Sequence, residues 1–438
     1  HLAAAICIET VTTSPTDELP GPAFLRLHDL LESTYPRVHA TLRRQVINQY
    51  SLLYTWPGSQ PDLEPVLLAA HLDVVPADPA TLNQWEHPPF SGAIDGEYIW
   101  GRGTQDIKCQ VVGLLEAIED LIKQNFKPER TIYLAFGHDE EISAWQGAPV
   151  IARQLEEKGE RLFAVLDEGG ALTAGMVPGL DLPVAMIGIS EKGYATLEFK
   201  VKGQPGHSST PPAQSAITIL GAALARLSTQ PFPAHLWGVQ RMMRPIGSLL
   251  PFGLQVALGN LWLFSGTVRK KMEAGPATNA AIRTTMAATV FHAGVKDNIL
   301  PSEAIARVNF RLFPGDSIAF ICEQVRKAIH DERVTFEPVE GNAWEASPTS
   351  PDSGPAYELL AQCIRESFGG LPVAPYIVIG ATDSRHYASV CDNIYRFTPL
   401  VFDADDLKRM HGINERVSIP AFKKMIQFYQ VLIRSWTE

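Results

Sequence analysis

Three apolar runs of the sequence each end in acidic residues or a histidine. The three junctions are Ala70-His71-Leu72-Asp73, Gly137-His138-Asp139-Glu140-Glu141 and Leu166-Asp167-Glu168-Gly169-Gly170. In an α/β protein the carboxyl ends of the parallel strands line the ligand crevice. If the three runs are neighbouring strands, their polar ends therefore meet at one edge of the sheet.

Two further segments add candidate ligands of the same chemical kind. Asp106 lies in the Gly-rich loop 100–108, just before a helical apolar pattern, and His411 lies in segment 410–414. Together the segments offer two imidazoles and several carboxylates, with no thiolate. This set is typical of hydrolytic zinc sites, in which nitrogen and oxygen ligands leave positions open for water. Each segment alone is weak evidence, so the prediction depends on their coincidence.

The order of apolar patterns predicts the elements that position these residues. Residues 1–50 carry a helical periodicity. Unbroken apolar runs, typical of strands covered on both faces, lie at 66–70, 131–136, 162–166 and 376–379. Helical patterns at 111–122 and 148–158 separate the runs. This alternation predicts an α/β catalytic domain with a mostly parallel central sheet flanked by helices.

The pattern changes near residue 190. Segments 195–202 and 304–312 alternate apolar and polar residues, as half-exposed antiparallel strands do. We therefore predict an inserted α+β lid or dimerisation domain at 190–342. It would separate the first part of the catalytic domain, 1–189, from the second, 343–438.

Composition excludes some classes of function. The chain has 438 residues, enough for two domains, and a formal net charge of -11 with no dense Lys/Arg run. A nucleic-acid partner is therefore not expected, because phosphate binding needs a concentrated basic surface. The five cysteines form no CxxC pair, which argues against a thiolate zinc site.

Membrane and export signals are not evident in the sequence. The chain begins at His1, and we expect any signal peptide or anchor in sequence that precedes it. Segment 245–264 is apolar, but Pro251, glycines and amides interrupt it, so we do not expect a spanning helix. The segment is interpreted as the lining of an acyl-chain pocket, as core of the inserted domain or as a dimer face.

The motifs resemble a known enzyme family. His71-Leu-Asp-Val-Val-Pro76, Gly101-Arg-Gly-Thr-Gln-Asp-Ile-Lys108, Phe136-Gly-His-Asp-Glu-Glu141 and Gly206-His-Ser-Ser209 resemble the co-catalytic zinc peptidases. That family includes carboxypeptidase G, aminoacylases and succinyl-diaminopimelate desuccinylase. Segments 136–141, 257–264, 279–285 and 380–387 resemble one branch of it, carboxypeptidase S and the secreted N-fatty-acyl-amino-acid hydrolases. The resemblance runs from the first helix to the last.

The resemblance implies two zinc ions per chain, bridged by Asp106. One ion adds His71 and Asp167 as ligands, and the other adds Glu141 and His411. Because divalent ions share nitrogen and oxygen donors, Mn²⁺ or Co²⁺ can substitute for zinc.

The resemblance also assigns catalytic roles beside the metals. Glu140 is implied as the general base, and Asp73 as the acceptor that orients His71. A cis peptide bond between Asp106 and Ile107 is implied as well.

Substrate residues are implied in both domains. His207 would stabilise the oxyanion, from its own chain or from the partner subunit of a homodimer. Arginine offers a planar, charged fork for a substrate carboxylate. The implied substrate-binding residues are Asn298, Arg311, Arg385, Gly380 and Thr382.

Together these residues predict a di-zinc amidohydrolase that cleaves an amide bond next to a free carboxylate. The substrate is a small molecule, either an N-acyl amino acid, with synthesis as the reverse reaction, or a short peptide cut by a carboxypeptidase or dipeptidase. The alternative from another class is a non-catalytic amino-acid or peptide binding protein on the same fold. The resemblance favours an exported or membrane-anchored protein and leaves membrane contact open.

Overall fold

The structure, a computed structural model, describes residues 1–143, 145–177 and 179–438. Its first strands are β1 (Arg43–Ile47), β2 (Ser51–Trp56), β3 (Val66–His71), β4 (Ile94–Asp95), β5 (Tyr98–Trp100), β6 (Ile132–Gly137), β7 (Ala164–Asp167), β8 (Leu172–Thr173), β9 (Val184–Glu191) and β10 (Gly193–Lys202). The later strands are β11 (Gly206–His207), β12 (Thr285–Ala293), β13 (Ile299–Leu300), β14 (Glu303–Leu312), β15 (Val334–Trp344), β16 (Val373–Val378), β17 (Ile394–Arg396), β18 (Val401–Phe402) and β19 (Arg416–Ser418).

The α-helices surround these strands. In the first half they are α1 (Leu2–Ile6), α2 (Gly21–Thr34), α3 (Pro36–Thr41), α4 (Lys108–Lys123), α5 (Ala148–Glu157), α6 (Ala216–Ser228) and α7 (Trp237–Ile246). In the second half they are α8 (Phe252–Gly259), α9 (Leu261–Glu273), α10 (Pro276–Ala280), α11 (Ile318–Ile329), α12 (Pro355–Ser367), α13 (Asp406–Arg409) and α14 (Ile419–Thr437). Short 3₁₀ helices lie at Pro79–Gln84, Glu140–Ile142, Gly247–Leu249 and Asp383–Ser389.

A ten-stranded sheet forms the centre of the molecule. Its order is β1-β2-β6-β3-β7-β17-β9-β8-β18, with β16 paired to β9. The central strands β6, β3, β7 and β17 are parallel, whereas β2 and β9 join them antiparallel. The predicted α/β class with a mostly parallel central sheet is confirmed, and the antiparallel pairs lie towards its margins.

Helices cover both faces of this large sheet. Leu68 and Leu166 face a core shared with α4, α12 and α14. Their neighbours Leu67 and Val165 face a second core, shared with α5 and the 3₁₀ helix Asp383–Ser389. Successive strand residues point to opposite faces, so strands buried on both faces consist of unbroken apolar runs. The sequence predicts these strands for that reason.

A second, antiparallel sheet, β12-β14-β10-β15, is formed by the region predicted as an insertion. Side chains of β10 and β14 that point to one face pack with α6 and α11 in a core of their own, which extends from Ala195 to Val334. The alternating pattern follows from the less buried opposite face. The domain limits at 190 and 342 stay a prediction. The large sheet includes β9 as far as Glu191, and β15 ends at Trp344.

The apolar segment 245–264 forms the end of α7, the whole of α8 and the start of α9. Ile246 and Leu250 are buried against Val184 and Met186 at the start of β9. No residue of α8 or α9 is buried. Among the described residues, none of the helices is both long enough and apolar enough to cross a membrane.

Candidate metal centre and active site

Three strand ends bring the candidate ligands to one edge of the large sheet. β3 ends at His71, which pairs with the last residue of β6, and β7 ends at Asp167. The 3₁₀ helix that follows β6 carries Glu140 and Glu141. Asp106 lies two residues before α4 and is buried. The edge therefore collects acids and a histidine from four segments, as the sequence predicts.

Asp106 lies between the two histidines and offers one carboxylate oxygen to each. Its Oδ1 is 3.1 Å from His71 Nε2, and its Oδ2 is 2.9 Å from His411 Nε2. Glu168 Oε1 lies 3.3 Å from His71 Nε2, and Glu141 Oε2 lies 3.2 Å from His411 Nε2. Each histidine thus shares Asp106 with one glutamate. A carboxylate placed in this way can bridge two cations roughly 3.5–4 Å apart.

Two details differ from the sequence prediction. Glu168, and not Asp167, lies next to His71. The carboxylate of the buried Asp167 instead accepts a hydrogen bond from the Glu168 N–H at 2.9 Å. Neighbouring residues at a strand end point in different directions, so only one of the two acids faces the cluster. In addition, the peptide bond between Asp106 and Ile107 is trans.

Asp73 organises the cluster from behind. His71 Nδ1 is 2.9 Å from the Asp73 main-chain oxygen and 3.3 Å from its Oδ1. The same carboxylate accepts the N–H groups of Glu140 and Glu141 at 3.3 and 3.1 Å, and the Thr12 hydroxyl at 2.8 Å. Asp73 therefore orients the His71 ring and also fixes the turn that carries both glutamates.

The cluster holds more buried negative charge than its histidines can balance. Burial and the nearby Asp106 carboxylate together raise the pKa of Glu141 to about 7 and that of Glu168 to about 8. Burial also raises the pKa of Glu140 well above its usual value, partly opposed by His71. Within the described part of the chain, Glu141 Oε1 has no hydrogen-bond partner. Divalent cations would balance these carboxylates, so the donor set fits a metal pair.

Glu415 ties the two ligand-bearing loops together. Its Oε1 accepts the backbone N–H groups of Gly103, Gln105 and Asp106, at 3.0, 2.7 and 3.2 Å. Its Oε2 lies 2.6 Å from Arg102 Nη1, and Arg102 Nη2 donates to the Gly412 carbonyl at 2.9 Å, next to His411. Burial raises the pKa of Glu415, and Arg102 opposes the shift. The sequence analysis missed this residue, whose one signal is its position four residues after His411.

His207 and Asn298 lie together, but away from the metal cluster. The two-stranded sheet of β11 and β13 pairs His207 with Ile299, and the Ser208 N–H donates to the Asn298 carbonyl at 3.2 Å. Both His207 and Asn298 are exposed, and His207 Nδ1 lies 2.8 Å from Ser209 Oγ. Among the described residues, neither hydrogen-bonds to a side chain of the cluster.

Arg311 and Arg385 lie at the two ends of one stack of planar groups. The Arg385 guanidinium is 4.9 Å from the centre of the Trp344 ring. Trp344 stacks on Tyr194 at 4.6 Å and 12°, and the Arg311 guanidinium lies 4.7 Å from the Tyr194 ring. The stack joins the 3₁₀ helix Asp383–Ser389, which packs on the large sheet, to the small antiparallel sheet β12-β14-β10-β15. The sequence analysis identified both arginines but neither ring.

Thr382 anchors the loop that carries Arg385. Its N–H and hydroxyl donate to Glu191 Oε2 at 3.0 and 2.9 Å, and Arg396 Nε donates to the same oxygen at 3.0 Å. Because Glu191 accepts the hydroxyl proton, Thr382 has only its oxygen lone pairs to offer a ligand. Gly380 lies in the same loop and is partly exposed.

Comparison with known proteins identifies the family. The sequence profile described as Peptidase family M20/M25/M40 matches residues 67–435. The chain belongs to this family. It is 41% identical over 440 residues to N-fatty-acyl-amino acid synthase/hydrolase PM20D1 of Xenopus tropicalis, covering 99% of this chain and 85% of the relative. It is 33% identical over 491 residues to carboxypeptidase S of Saccharomyces cerevisiae, covering 99% and 83%.

A solved structure shows the same fold. The M20 family metallo-carboxypeptidase Sso-CP2 from Sulfolobus solfataricus matches with a TM-score of 0.70, covering 100% of this chain and 98% of that chain. Sequence identity is 16%, so this similarity concerns the fold alone.

The predicted family and enzyme class are confirmed. This M20 protein is a metal-dependent hydrolase of the peptidase/aminoacylase type, which acts on carbon–nitrogen bonds. The family binds divalent metal ions, and zinc is the metal general to it.

Proposed function

We propose that this protein uses two zinc ions to hydrolyse N-acyl amino acids. The observation that carries the proposal is the position of Asp106, with one oxygen towards His71 and the other towards His411. One ion would be held by His71, Asp106 and Glu168. The other would be held by His411, Asp106 and Glu141. Glu168 thus replaces Asp167 in the proposed ligand set.

When bound, the zinc ions would polarise the scissile carbonyl and lower the pKa of a water molecule. Glu140 is the proposed general base. It is partly buried, and its carboxylate lies within 4.8 Å of ligand atoms of His71 and Glu168. In this position it would take a proton from the attacking water and deliver it to the leaving amine. Asp73 would hold the His71 ring and the Glu140 turn in place.

Arg385 and Arg311 are the proposed receptors of the substrate carboxylate. Their guanidinium groups are planar donors, and the stack on Trp344 and Tyr194 fixes their orientation. His207 and Asn298 stay candidates for oxyanion and substrate binding. Because both are exposed, they would act after the small sheet moves towards the cluster, or in a partner subunit of a homodimer.

The acyl-amino-acid substrate is supported by the 41% identity to the Xenopus tropicalis enzyme, whose name describes synthesis and hydrolysis of N-fatty-acyl amino acids. The same site could run in both directions. A carboxypeptidase acting on short peptides is the second candidate, favoured by the 33% identity to carboxypeptidase S. Export or membrane anchoring remains a prediction from the same resemblance.

Two measurements test the proposal together. Wild type and Glu140→Gln are compared for zinc content and for turnover of three matched substrates: N-palmitoyl-phenylalanine, glycyl-phenylalanine and N-palmitoyl-phenylalanine amide. We expect two zinc ions per chain in both proteins and a loss of activity in Glu140→Gln on the order of 10²–10⁴-fold. Turnover should be highest for the acyl amino acid and lowest for the amide, which lacks the carboxylate.

Other outcomes would redirect the proposal. Faster turnover of the dipeptide would favour the carboxypeptidase. Bound metal without turnover of any substrate would favour the amino-acid or peptide binding protein. If Mn²⁺ or Co²⁺ supports higher activity than zinc in the metal-free protein, the assigned metal is wrong.

A further inference from the structure

Helices α8 and α9 expose a group of large apolar side chains. Phe252 and Trp262 are 80% and 82% exposed, Leu263 is 60% exposed, and Val256 is also exposed. Phe252 and Val256 are four residues apart on α8 and share one face of the helix. Single exposed apolar residues are ordinary, but a contiguous group marks an interaction surface.

A buried base attaches this helical pair to the large sheet. Its base, Ile246 and Leu250, packs on the start of β9. Ala185, near the start of β9, pairs with Val373 at the start of β16, whereas Thr382 binds Glu191 at the other end of β9. Gly179, between β8 and β9, packs directly against Pro251.

The charge of this segment is opposite to that of the whole chain. Residues 252–273, which form α8 and α9, contain three basic residues and one acidic residue, whereas the chain has a formal net charge of -11. On α9, Arg269 and Lys270 follow Trp262 and Leu263 by seven residues, so each basic residue lies on the same side of the helix as an exposed apolar one. All four side chains are exposed. The surface therefore combines aromatic and basic groups.

We propose that α8 and α9 dock this protein on an anionic phospholipid surface. Exposed aromatic side chains insert at the boundary between headgroups and acyl chains, and lysine and arginine attract anionic headgroups. A second copy of the chain fits less well, because a symmetric contact would place like-charged α9 helices together. The inference does not depend on the proposed substrate.

Vesicle co-sedimentation of the metal-loaded enzyme tests this inference. The vesicles consist of phosphatidylcholine alone or of phosphatidylcholine with phosphatidylserine, at low and high salt. We expect binding to the vesicles that contain phosphatidylserine, and weaker binding at high salt. Phe252→Ser/Trp262→Ser should reduce partitioning at least tenfold, and Arg269→Glu/Lys270→Glu on the order of a thousandfold.

Controls separate docking from loss of structure. Ile94→Ser/Val295→Ser removes two exposed apolar side chains elsewhere, 63% and 91% exposed, and should leave binding unchanged. All variants should retain the wild-type circular dichroism spectrum. Sedimentation is measured without turnover, so its outcome is independent of the substrate assignment.

Three results would overturn the inference. The first is the absence of wild-type binding to either vesicle. The second is equal binding of the Phe252→Ser/Trp262→Ser variant and the wild type. The third is conversion of a dimer into a monomer by that variant with no change in sedimentation with vesicles, which would assign the surface to a second copy.

Discussion

Replacing Glu415 with glutamine should weaken metal binding without altering any metal ligand. The carboxylate accepts three backbone N–H groups of the loop that ends at Asp106, and it pairs with Arg102 at 2.6 Å. An amide keeps one acceptor oxygen, turns donors towards the remaining partners and leaves the buried Arg102 charge unpaired. Removing one member of a buried ion pair costs about 3–5 kcal/mol of unfolding free energy.

The effect should extend to the metal because both ligand loops depend on this pair. One side of the pair fixes the backbone at Asp106, and the other fixes the Gly412 carbonyl beside His411. Loss of supporting groups behind metal ligands typically lowers metal affinity by roughly 10–100-fold. Zinc affinity is measured by competition with a chromophoric chelator, and stability by urea unfolding of the metal-free protein.

Glu191→Gln is the matched control. Glu191 and Arg396 form another ion pair that is almost fully buried, with an N–O distance of 3.0 Å. This pair supports Thr382 rather than a proposed ligand. The control should lose comparable stability and keep wild-type zinc affinity. If Glu415→Gln is destabilised but binds two zinc ions as tightly as the control does, the positioning argument is refuted.

Three further predictions concern the arginine stack, pH and the metals. Trp344→Leu should raise KM about tenfold for substrates with a free carboxylate and much less for their amides, because a partly buried cation–π contact is worth about 1–2 kcal/mol; equal effects on both would contradict it. Burial and the neighbouring Arg385 lower the pKa of His386 to about 3, so below pH ~6.5 the unfolded chain takes up a proton that the folded protein does not. His386→Gln should therefore gain about 2 kcal/mol relative to wild type between pH 7.5 and pH 5 in urea unfolding, whereas a gain that does not depend on pH would exclude His386 as the source. Chelation should lower the melting temperature, and zinc should restore it. At a zinc concentration a thousand times Kd, binding adds about 4 kcal/mol to the free energy of unfolding. An unchanged melting temperature would show that the cluster needs no cation.

The large sheet and the metal-binding edge could be predicted because their physical constraints leave marks in the sequence. Strands covered on both faces must be apolar throughout, and acids at their ends cannot belong to that core. His71 and Glu141 stand out in this way, whereas the family resemblance was needed to name Asp106 and His411 as ligands, and the structure brings all four together.

Residues whose role depends on direction or on long-range contacts could not be predicted in the same way. Asp167 and Glu168 are adjacent acids, and the sequence does not show which one faces His71. Glu415 and Arg102 are 313 positions apart, and neither has a neighbouring pattern that predicts a buried pair. Tyr194 and Trp344 lie in alternating strands, where an aromatic side chain is ordinary.

The adjacent acids Glu140 and Glu141 show how one buried carboxylate can separate a base from a ligand. Asp73 accepts both of their N–H groups, and the 3₁₀ turn then directs the two side chains apart. Glu141 reaches His411, whereas Glu140 lies near His71 and Glu168. Asp73 also orients the ring of His71. The proposed ligand His71 and the proposed base Glu140 are therefore positioned by the same group, so a disturbance of Asp73 should affect metal binding and proton transfer together.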